Sequence, residues 1–438
     1  MNRLNDSIHK ELSRLEVVAE ANRCLFCYDA PCMRACPTHI DVASFIKKIT
    51  TGNLLGSART IMDANPMGAS CARVCPTENL CEGACVYTKD SVAIRIGDLQ
   101  RYATDWAREN NVQLFEPGTP TGKKVAIIGG GPAGLSAARE LRRMGHAVTI
   151  YESKKDAGGL NTYGIVPFRL ALDVALWEAQ QIIDMGVDMR TGVTVGKDVA
   201  LDELLKNFDA TIIACGMGSV PKLGIPGEDL QGVLDALDVI ERAKIGGSVR
   251  ELGSSVAVIG AGNTAIDALT CAKRLGIERV TMYYRRTEDE MTAYPFEYEF
   301  AKQEGIEFRW LCSPKRILGT NGRVSGVEFV RTRHQAAGGS SRSAPAEVPD
   351  SEFVAEVDTV IRAIGQSRRV NLFDQLGIKH EGGVVQVDSD LQTSRAGIFA
   401  AGDCIFAKGS REAMVVEAAE QGKIAARSVN RALEQRHG

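Results

Sequence analysis

Two short apolar runs, Val125 to Ile128 and Val256 to Ile259, each break into a glycine-rich turn and then a helical pattern. In the first, VAIIGGGPAGLSAARELRRMGHAVTIYE, Gly129, Gly131 and Gly134 stand at the GxGxxG positions, with Pro132 and Ala133 between the last two. In the second, VAVIGAGNTAIDALTCAKRL, the positions fall to Gly260, Gly262 and Ala265, with Asn263 and Thr264 between. The two starts lie 260 − 129 = 131 residues apart, so a whole strand–turn–helix unit is repeated. The first glycine permits a tight turn and the second lets a pyrophosphate approach the backbone. The third lets helix and strand pack closely, and the helix amino terminus favours the phosphate charge. The sequence therefore predicts an α/β fold with two Rossmann-like units.

The residues beyond each turn distinguish the two units. Glu152 stands 23 residues after Gly129, at the end of a second apolar strand, where a carboxylate can accept both ribose hydroxyls. The same count from Gly260 reaches Tyr283, with Arg285 and Arg286 just beyond. A carboxylate would repel a ribose 2′-phosphate, whereas guanidinium groups bind one through charge-assisted hydrogen bonds. Ala265 in place of glycine leaves the phosphate extra room. NADPH is expected over NADH at this second unit; the alternative is an arginine pair at a solvated strand end.

The twelve cysteines are unevenly spread. Eight fall between Cys24 and Cys85, in the runs Cys24-x2-Cys27-x4-Cys32-x3-Cys36-Pro37 and Cys71-x3-Cys75-Pro76-x4-Cys81-x3-Cys85. A disulfide framework needs an oxidising compartment, and the amphipathic start of the chain lacks the apolar core of a secretory signal. A cytoplasmic location is expected. No run reaches the roughly 18 apolar residues of a membrane span, so membrane insertion is not expected, and a net charge of −3 gives no reason to expect nucleic acid. Tightly spaced thiolates plus a distant one suit an iron–sulfur cubane. Two structural zincs also fit the spacing. Iron–sulfur is preferred because a two-electron carrier gains a use from a one-electron carrier beside it. The rest of residues 1–115 shows amphipathic helical patterning, and the turn-rich EPGTPTGK comes next. The stretch 334–350 reads as a solvated hairpin loop.

These features resemble the flavoprotein disulfide-reductase type, in which one Rossmann-like unit binds FAD and an inserted one binds NAD(P)H. Ala214-Cys215-Gly216 resembles that group's Ala-Thr-Gly turn, with cysteine for threonine, and Ala401-Gly402-Asp403 resembles the motif whose aspartate binds the ribityl chain. By the same resemblance the helix after Ser410 aims its amino-terminal dipole at the flavin, and Gly159, Leu160 and Arg169 are further candidates for that cofactor. No CxxC or CxxxxC pair follows the first fingerprint, which argues against dithiol chemistry at the flavin.

The strings CLFCYDAPCMRACPTHIDVASFI, NPMGASCARVCPTENLCEGAC and IGDLQRY are similar to the amino-terminal half of the dihydropyrimidine dehydrogenase family, and more loosely to glutamate synthase small subunits. The resemblance covers nearly the whole chain. It implies two [4Fe–4S] clusters, one on Cys24, Cys27, Cys32 and Cys85, the other on Cys36, Cys75, Cys81 and the side-chain oxygen of Gln100. Cys71 is then a spare buried thiol. Read without the resemblance, Gln100 is a glutamine on a solvated helix face; glutamate synthase subunits tend to carry an acid there.

The implied layout is a helical iron–sulfur domain at 1–115, FAD-binding parts at 122–237 and 363–438, and an NAD(P)H-binding domain at 238–362. Hydride is expected to enter at the nicotinamide and single electrons to leave through the clusters, with few catalytic side chains because the cofactors carry the chemistry. No stretch remains for a substrate domain, so a second oxidoreductase subunit is the expected partner, dihydropyrimidine dehydrogenase first. Glutamate synthase, or a tungsten or 2-oxoacid oxidoreductase, is the alternative. A redox sensor without sustained turnover is the reading from another class.

Overall fold

A computed structural model describes residues 3–8, 10–246, 252–333, 345–407 and 413–435. The cysteine-rich region is helical: α1 (Arg14–Asn22), α2 (Pro31–Ala35), α3 (Val42–Thr50), α4 (Leu54–Ala64), α5 (Gly68–Val74) and α6 (Ile96–Glu109). Local chemistry sets several starts. Ser13 and Glu16 form a reciprocal capping box before α1, and the side chains of Asp41 and Asn53 accept the amides of Ser44 and Gly56. Along α3, Val42, Phe45, Ile46 and Ile49 are buried, the i, i+3, i+4, i+7 stripe of a helix with one apolar face.

Next come β1 (Lys124–Ile128), α7 (Pro132–Arg143), β2 (Ala147–Glu152), α8 (Leu160–Tyr163), α9 (Leu172–Ile183), β3 (Asp188–Thr191), α10 (Leu201–Asn207) and β4 (Ala210–Ile213). The chain continues through β5 (Val233–Asp235), α11 (Ala236–Lys244), β6 (Ser255–Ile259), α12 (Asn263–Arg274), β7 (Arg279–Tyr283), α13 (Pro295–Gln303) and β8 (Glu307–Arg309). Then come β9 (Cys312–Thr320), β10 (Arg323–Arg333), β11 (Ala346–Glu347), β12 (Phe353–Ala355) and β13 (Thr359–Arg362). The last elements are α14 (Val370–Leu376), β14 (His380–Glu381), β15 (Val384–Val385), β16 (Ile398–Ala400) and α15 (Val415–Gln435).

Two compact units result. The larger comprises Ser7–Thr162, Arg169–Met217 and Arg368–Gly438. It joins the helical region to a parallel sheet ordered β16-β4-β1-β2-β3. β1 lies in the middle with Val125 to Ile128 all buried, the continuous apolar run that a strand covered on both faces requires. One hydrophobic cluster runs from Val17, Phe45 and Met62 through Val125 and Leu135 to Val429, so helical region and sheet share a core.

The smaller unit comprises Gly218–Ser367, Tyr163–Phe168 and the start of the chain up to Asp6. Its parallel sheet is ordered β5-β13-β6-β7-β8, accompanied by an antiparallel group in which β10 pairs with β9, β11 and β12. This unit opens twenty residues before the boundary read from sequence, because β5 pairs Val233 with Val360 of β13. β13 also pairs with β6, in the register Thr359 opposite Val256 to Arg362 opposite Ile259. Residues 334–344 of the expected hairpin loop, between β10 and β11, lie outside the described residues, as do 408–412 ahead of α15.

Candidate cofactor sites

At the first turn the three glycines answer different demands. A Cβ on Gly129, whose φ is +111°, would stand 2.3 Å from the Ala214 carbonyl oxygen, and one on Gly134 would stand 2.0 Å from the Gly129 carbonyl oxygen. Those two are required by the chain's own packing. A Cβ on Gly131 would meet only the Gly159 Cα, at an ordinary 3.7 Å. The protein leaves that position open, and a cofactor approaching the backbone accounts for its bareness.

The neighbouring candidates gather at the same sheet edge. Glu152 is buried at the end of β2. Its Oε2 accepts the Gly130 amide at 2.8 Å and its Oε1 the Lys154 amide at 2.7 Å, fixing the carboxylate against the turn. The Gly158 amide donates to the Gly130 carbonyl at 2.7 Å, drawing in the segment of Gly159 and of Leu160, which is exposed at the head of α8. Gly216 takes φ +60° two residues after Ala214. Pro132 opens α7 at a position where it costs no helical hydrogen bond. Gly402, at φ +77°, sits so close to α7 that a Cβ there would come within 2.9 Å of the Ala133 Cβ. Burial pushes the Asp403 carboxyl above its usual range, with Arg368 opposing the shift. Arg169 is half-buried. Glu152 bonded to the Gly130 amide and Gly159 packed against Gly131 leave the turn's backbone open on one side, which fits the approach of a dinucleotide.

The second turn repeats the logic. A Cβ on Gly260, φ +133°, would stand 2.2 Å from the Ala363 carbonyl oxygen, whereas one on Gly262 would meet only Thr292 Oγ1 at 3.4 Å. Asn263 Oδ1 accepts the Tyr294 amide at 3.0 Å, Thr264 is half-buried, and Ala265 is buried in α12. Tyr283, where an acid would stand, is a core residue stacked on Phe329 with centroids 4.1 Å apart. The two arginines diverge. Arg285 is exposed; Arg286 is buried, 3.7 Å from the Glu290 carboxylate.

Cys24, Cys27, Cys32 and Cys85 line one cavity, walled by Pro31 and Ile46. Left-handed backbone at Phe26 and Asp29, both φ +50°, folds the loop around it, strain that a bulky residue such as Phe26 rarely accepts. Burial and the Cys24 and Cys85 thiols push Cys32 up to about 11. Cys36, Cys75 and Cys81 form a second group: Cys75 is raised by its hydrogen bond with Cys71, by burial and by the charges of Cys71, Cys81 and Cys36. Crowded thiols of this kind ionise only when a cation compensates them, which metal supplies. Among the described residues no three histidine, cysteine or carboxylate side chains converge as ligands of a single ion. Thiols spread around a shared space suit a cluster with width of its own better than one tetrahedral zinc.

Gln100 is buried in α6, not on a solvated face, and its Nε2 donates to the Gly68 carbonyl at 2.6 Å. Gly68 opens α5, the helix of Cys71 that leads into Cys75. Sequence reasoning missed the residue that holds this helix from the flavin side. Glu178 of α9, fully buried, accepts the Ala69 and Ser70 amides at 2.7 and 3.0 Å and also bonds the Ser70 hydroxyl. It is 108 residues away in sequence from Ser70, and no local signal marks it.

A duplicated dinucleotide turn on parallel sheets, joined to a helical domain that gathers thiols, defines a pyridine-nucleotide-linked flavin oxidoreductase with an iron–sulfur domain. Residues 2–112 match the family model for dihydropyrimidine dehydrogenase domain II, 4Fe-4S cluster, and residues 123–422 match that for pyridine nucleotide-disulphide oxidoreductase. The chain belongs to the pyridine nucleotide-disulphide oxidoreductase family and acts as an NAD(P)-linked electron-transfer subunit. It is 34% identical to the NAD-dependent dihydropyrimidine dehydrogenase subunit PreT of Salmonella typhimurium, over 98% of this chain and 97% of that one. It is also 34% identical to the glutamate synthase [NADPH] small chain of Escherichia coli, over 98% and 93%. Among solved structures, Mycobacterium tuberculosis FprA in complex with NADPH aligns with TM-score 0.58 at 19% identity, over 72% of this chain and 85% of that one. Thioredoxin reductase from T. acidophilum aligns with TM-score 0.55 at 22% identity, over 72% and 99%. These two likenesses concern the fold. No described helix is long and apolar enough to cross a membrane.

Proposed function

We propose that this chain is the NAD(P)H-oxidising subunit of a dihydropyrimidine dehydrogenase, and that it feeds a separate catalytic subunit. The observation that carries the electron path is the shared core of thiol domain and flavin sheet, with Glu178 tying α9 to the cysteine-bearing α5. When bound, FAD accepts a hydride from the nicotinamide and iron–sulfur clusters carry single electrons onward. The residues supply placement. Gly131 admits the pyrophosphate of FAD, Glu152 its ribose, and Gly402 with Asp403 its ribityl chain. Gly262 does the same for NAD(P)H, and the exposed Arg285 meets a 2′-phosphate. Arg286, buried against Glu290, serves the fold of that strand end.

For the clusters, the shared cavity supports Cys24, Cys27, Cys32 and Cys85 as one ligand set. The mutual influence of Cys36, Cys75 and Cys81 supports them as the core of the other, with Gln100 as fourth. A docking face also has support. Leu15, Val18, Leu25, Tyr28, Val86 and Val92 are exposed large apolar residues of the helical region, and Leu25 and Val86 border the first cysteine cavity. Leu25 and Val86, left exposed beside that cavity, support a protein contact there.

Glutamate synthase is the second reading, favoured by the equal identity to its small chain; the buried amide of Gln100 favours the first. The deciding experiment is reconstitution. Alone, the chain should reduce one-electron dyes with NAD(P)H and convert no organic substrate. Adding a dihydropyrimidine-oxidising flavoprotein subunit should restore NAD(P)H-linked uracil reduction. If only a glutamate synthase large subunit restores turnover, the electron path stands and the named partner falls. Sustained uracil reduction by the chain alone would refute both.

A further inference from the structure

The fold brings together two thiols that the sequence keeps 189 residues apart, Cys215 and Cys404. β4 and β16 are parallel neighbours with Ile213 opposite Ala400, so the chains leaving their carboxyl ends emerge side by side. Cys215 lies two residues beyond Ile213. A 3-10 turn over Gly402–Ile405 folds Cys404 back toward the same strand end. There the Cys404 thiol reaches the Ile213 carbonyl at 3.5 Å and the Ala401 carbonyl at 3.3 Å, and the two thiols hydrogen-bond each other.

The two are not equivalent. Cys404 is buried, whereas Cys215 is half-buried. The Cys404 hydrogen bond, aided by the charge of Arg369, holds the Cys215 thiol below its usual range. Arg369 is fixed nearby by its Nε, which donates to the Cys215 carbonyl at 3.2 Å. The interaction with Cys215 and its own burial push the Cys404 thiol well above the usual range. A thiol whose ionisation is favoured, beside a buried thiol held protonated, is the arrangement that peroxide-sensing cysteines use. The family turn resembled by Ala214-Cys215-Gly216 carries threonine at this position, so the resemblance does not supply the pair.

We infer that Cys215 and Cys404 form a reversible redox pair that reacts with hydroperoxides. The Cys215 thiolate attacks the terminal oxygen of ROOH. The O–O bond breaks, a proton is taken up, and ROH leaves with Cys215 oxidised to the sulfenic acid. The Cys404 sulfur then attacks Cys215 sulfur; the S–S bond forms and water departs, carrying the Cys404 proton and the sulfenic oxygen. An external dithiol restores both thiols. The disulfide would tie β4 to the turn bearing Gly402 and Asp403. Peroxide would thereby act on the segment that faces the flavin, whichever partner the chain serves.

The test uses the purified holo chain, handled without oxygen and then titrated with hydrogen peroxide, alkylated and mapped by peptide mass spectrometry. The expected result is a Cys215–Cys404 cross-linked peptide two hydrogens lighter than its parts, lost on dithiothreitol treatment. In Cys404→Ser, Cys215 should accumulate as a dimedone-trapped sulfenic acid. In Cys215→Thr, chosen because threonine suits this turn, Cys404 should stay reduced. Iodoacetamide should alkylate Cys215 with a pH midpoint below the ordinary thiol value of about 8.5, and Arg369→Gln should raise that midpoint. Peroxide that oxidises other cysteines while Cys215 stays unmodified would overturn the inference. So would wild-type Cys215 reaching the sulfinic acid with no link to Cys404, or a pH midpoint at or above the ordinary value.

Discussion

Gly131 is bare without any demand from its neighbours, and that distinguishes it from Gly129. Gly131→Ala should leave thermal stability nearly unchanged, because its Cβ would meet only Gly159 at 3.7 Å. FAD affinity should nevertheless drop about tenfold or more, on the order of 1.4 kcal/mol, since the methyl group stands where the pyrophosphate approaches. Gly129→Ala should destabilise the fold itself, its Cβ landing 2.3 Å from a carbonyl oxygen. Flavin titration beside thermal melts separates the two outcomes; equal FAD affinity in Gly131→Ala would show that the turn is not the flavin site. At the second turn Arg285→Ala should slow flavin reduction by NADPH about ten- to a hundredfold, from the roughly 1.5–3 kcal/mol of a charged hydrogen bond. Reduction by NADH should be unaffected; equal losses for both would mean that Arg285 supports the fold and not the phosphate, and no loss with either would return it to the solvated-end reading. The sequence made the arginine pair visible but not its division of labour. Only the structure separates the exposed Arg285 from Arg286, which faces Glu290.

Helix α5 is held at both sides of its entry by the flavin sheet's helices. Arg139 of α7 donates to the Asp63 carbonyl at 2.9 Å and Lys423 of α15 to the Ala64 carbonyl at 2.6 Å, so two cations meet the carboxyl end of α4. Glu178 then meets the amino end of α5. Burial pushes Glu178 up to about 7, against the opposing hydrogen bonds from Ser70 and Ala69. Linkage sets the sign of the pH dependence. Below the ordinary value of 4.5 both folded and unfolded chains hold the proton, and between there and about 7 only the folded chain does. Stability should therefore fall as pH rises across that window, by on the order of 3 kcal/mol, and stay flat above it. A glutamine in place of Glu178 would mimic the protonated acid, its oxygen taking the two amides and its nitrogen facing the Ser70 hydroxyl. Glu178→Gln should match wild type near pH 5 and exceed it at pH 8 in urea unfolding. Parallel curves for the two proteins at both pH values would contradict this assignment. The helices themselves were legible in their caps and apolar stripes. The clamp was not, since it joins residues that touch only after both regions have folded.

At the scale of the whole molecule, sequence alone revealed the motifs with a local signature. The glycine turns, Glu152 and the two cysteine runs all rest on spacing a short peptide can carry. Relations set by strand order were hidden. β5 joins a sheet that sequence placed later, and Cys215 meets Cys404 only because β4 and β16 are neighbours. The parallel register of β4 and β16 brings the segments of Cys215 and Cys404 together from opposite ends of the split domain, a juxtaposition that spacing along the sequence does not display. The spacing of the cysteines likewise left zinc arithmetically open, and their common cavity, with Cys85 brought to Cys24, Cys27 and Cys32, is set by folding.

The central claim is that one chain holds a hydride acceptor and two one-electron carriers. Chemical analysis of the anaerobically purified protein for iron, acid-labile sulfide and flavin tests it most directly. The expected result is about eight irons and about eight sulfides for each FAD, as two cubane clusters require. Stoichiometric zinc with no labile sulfide, or flavin without iron, would contradict it.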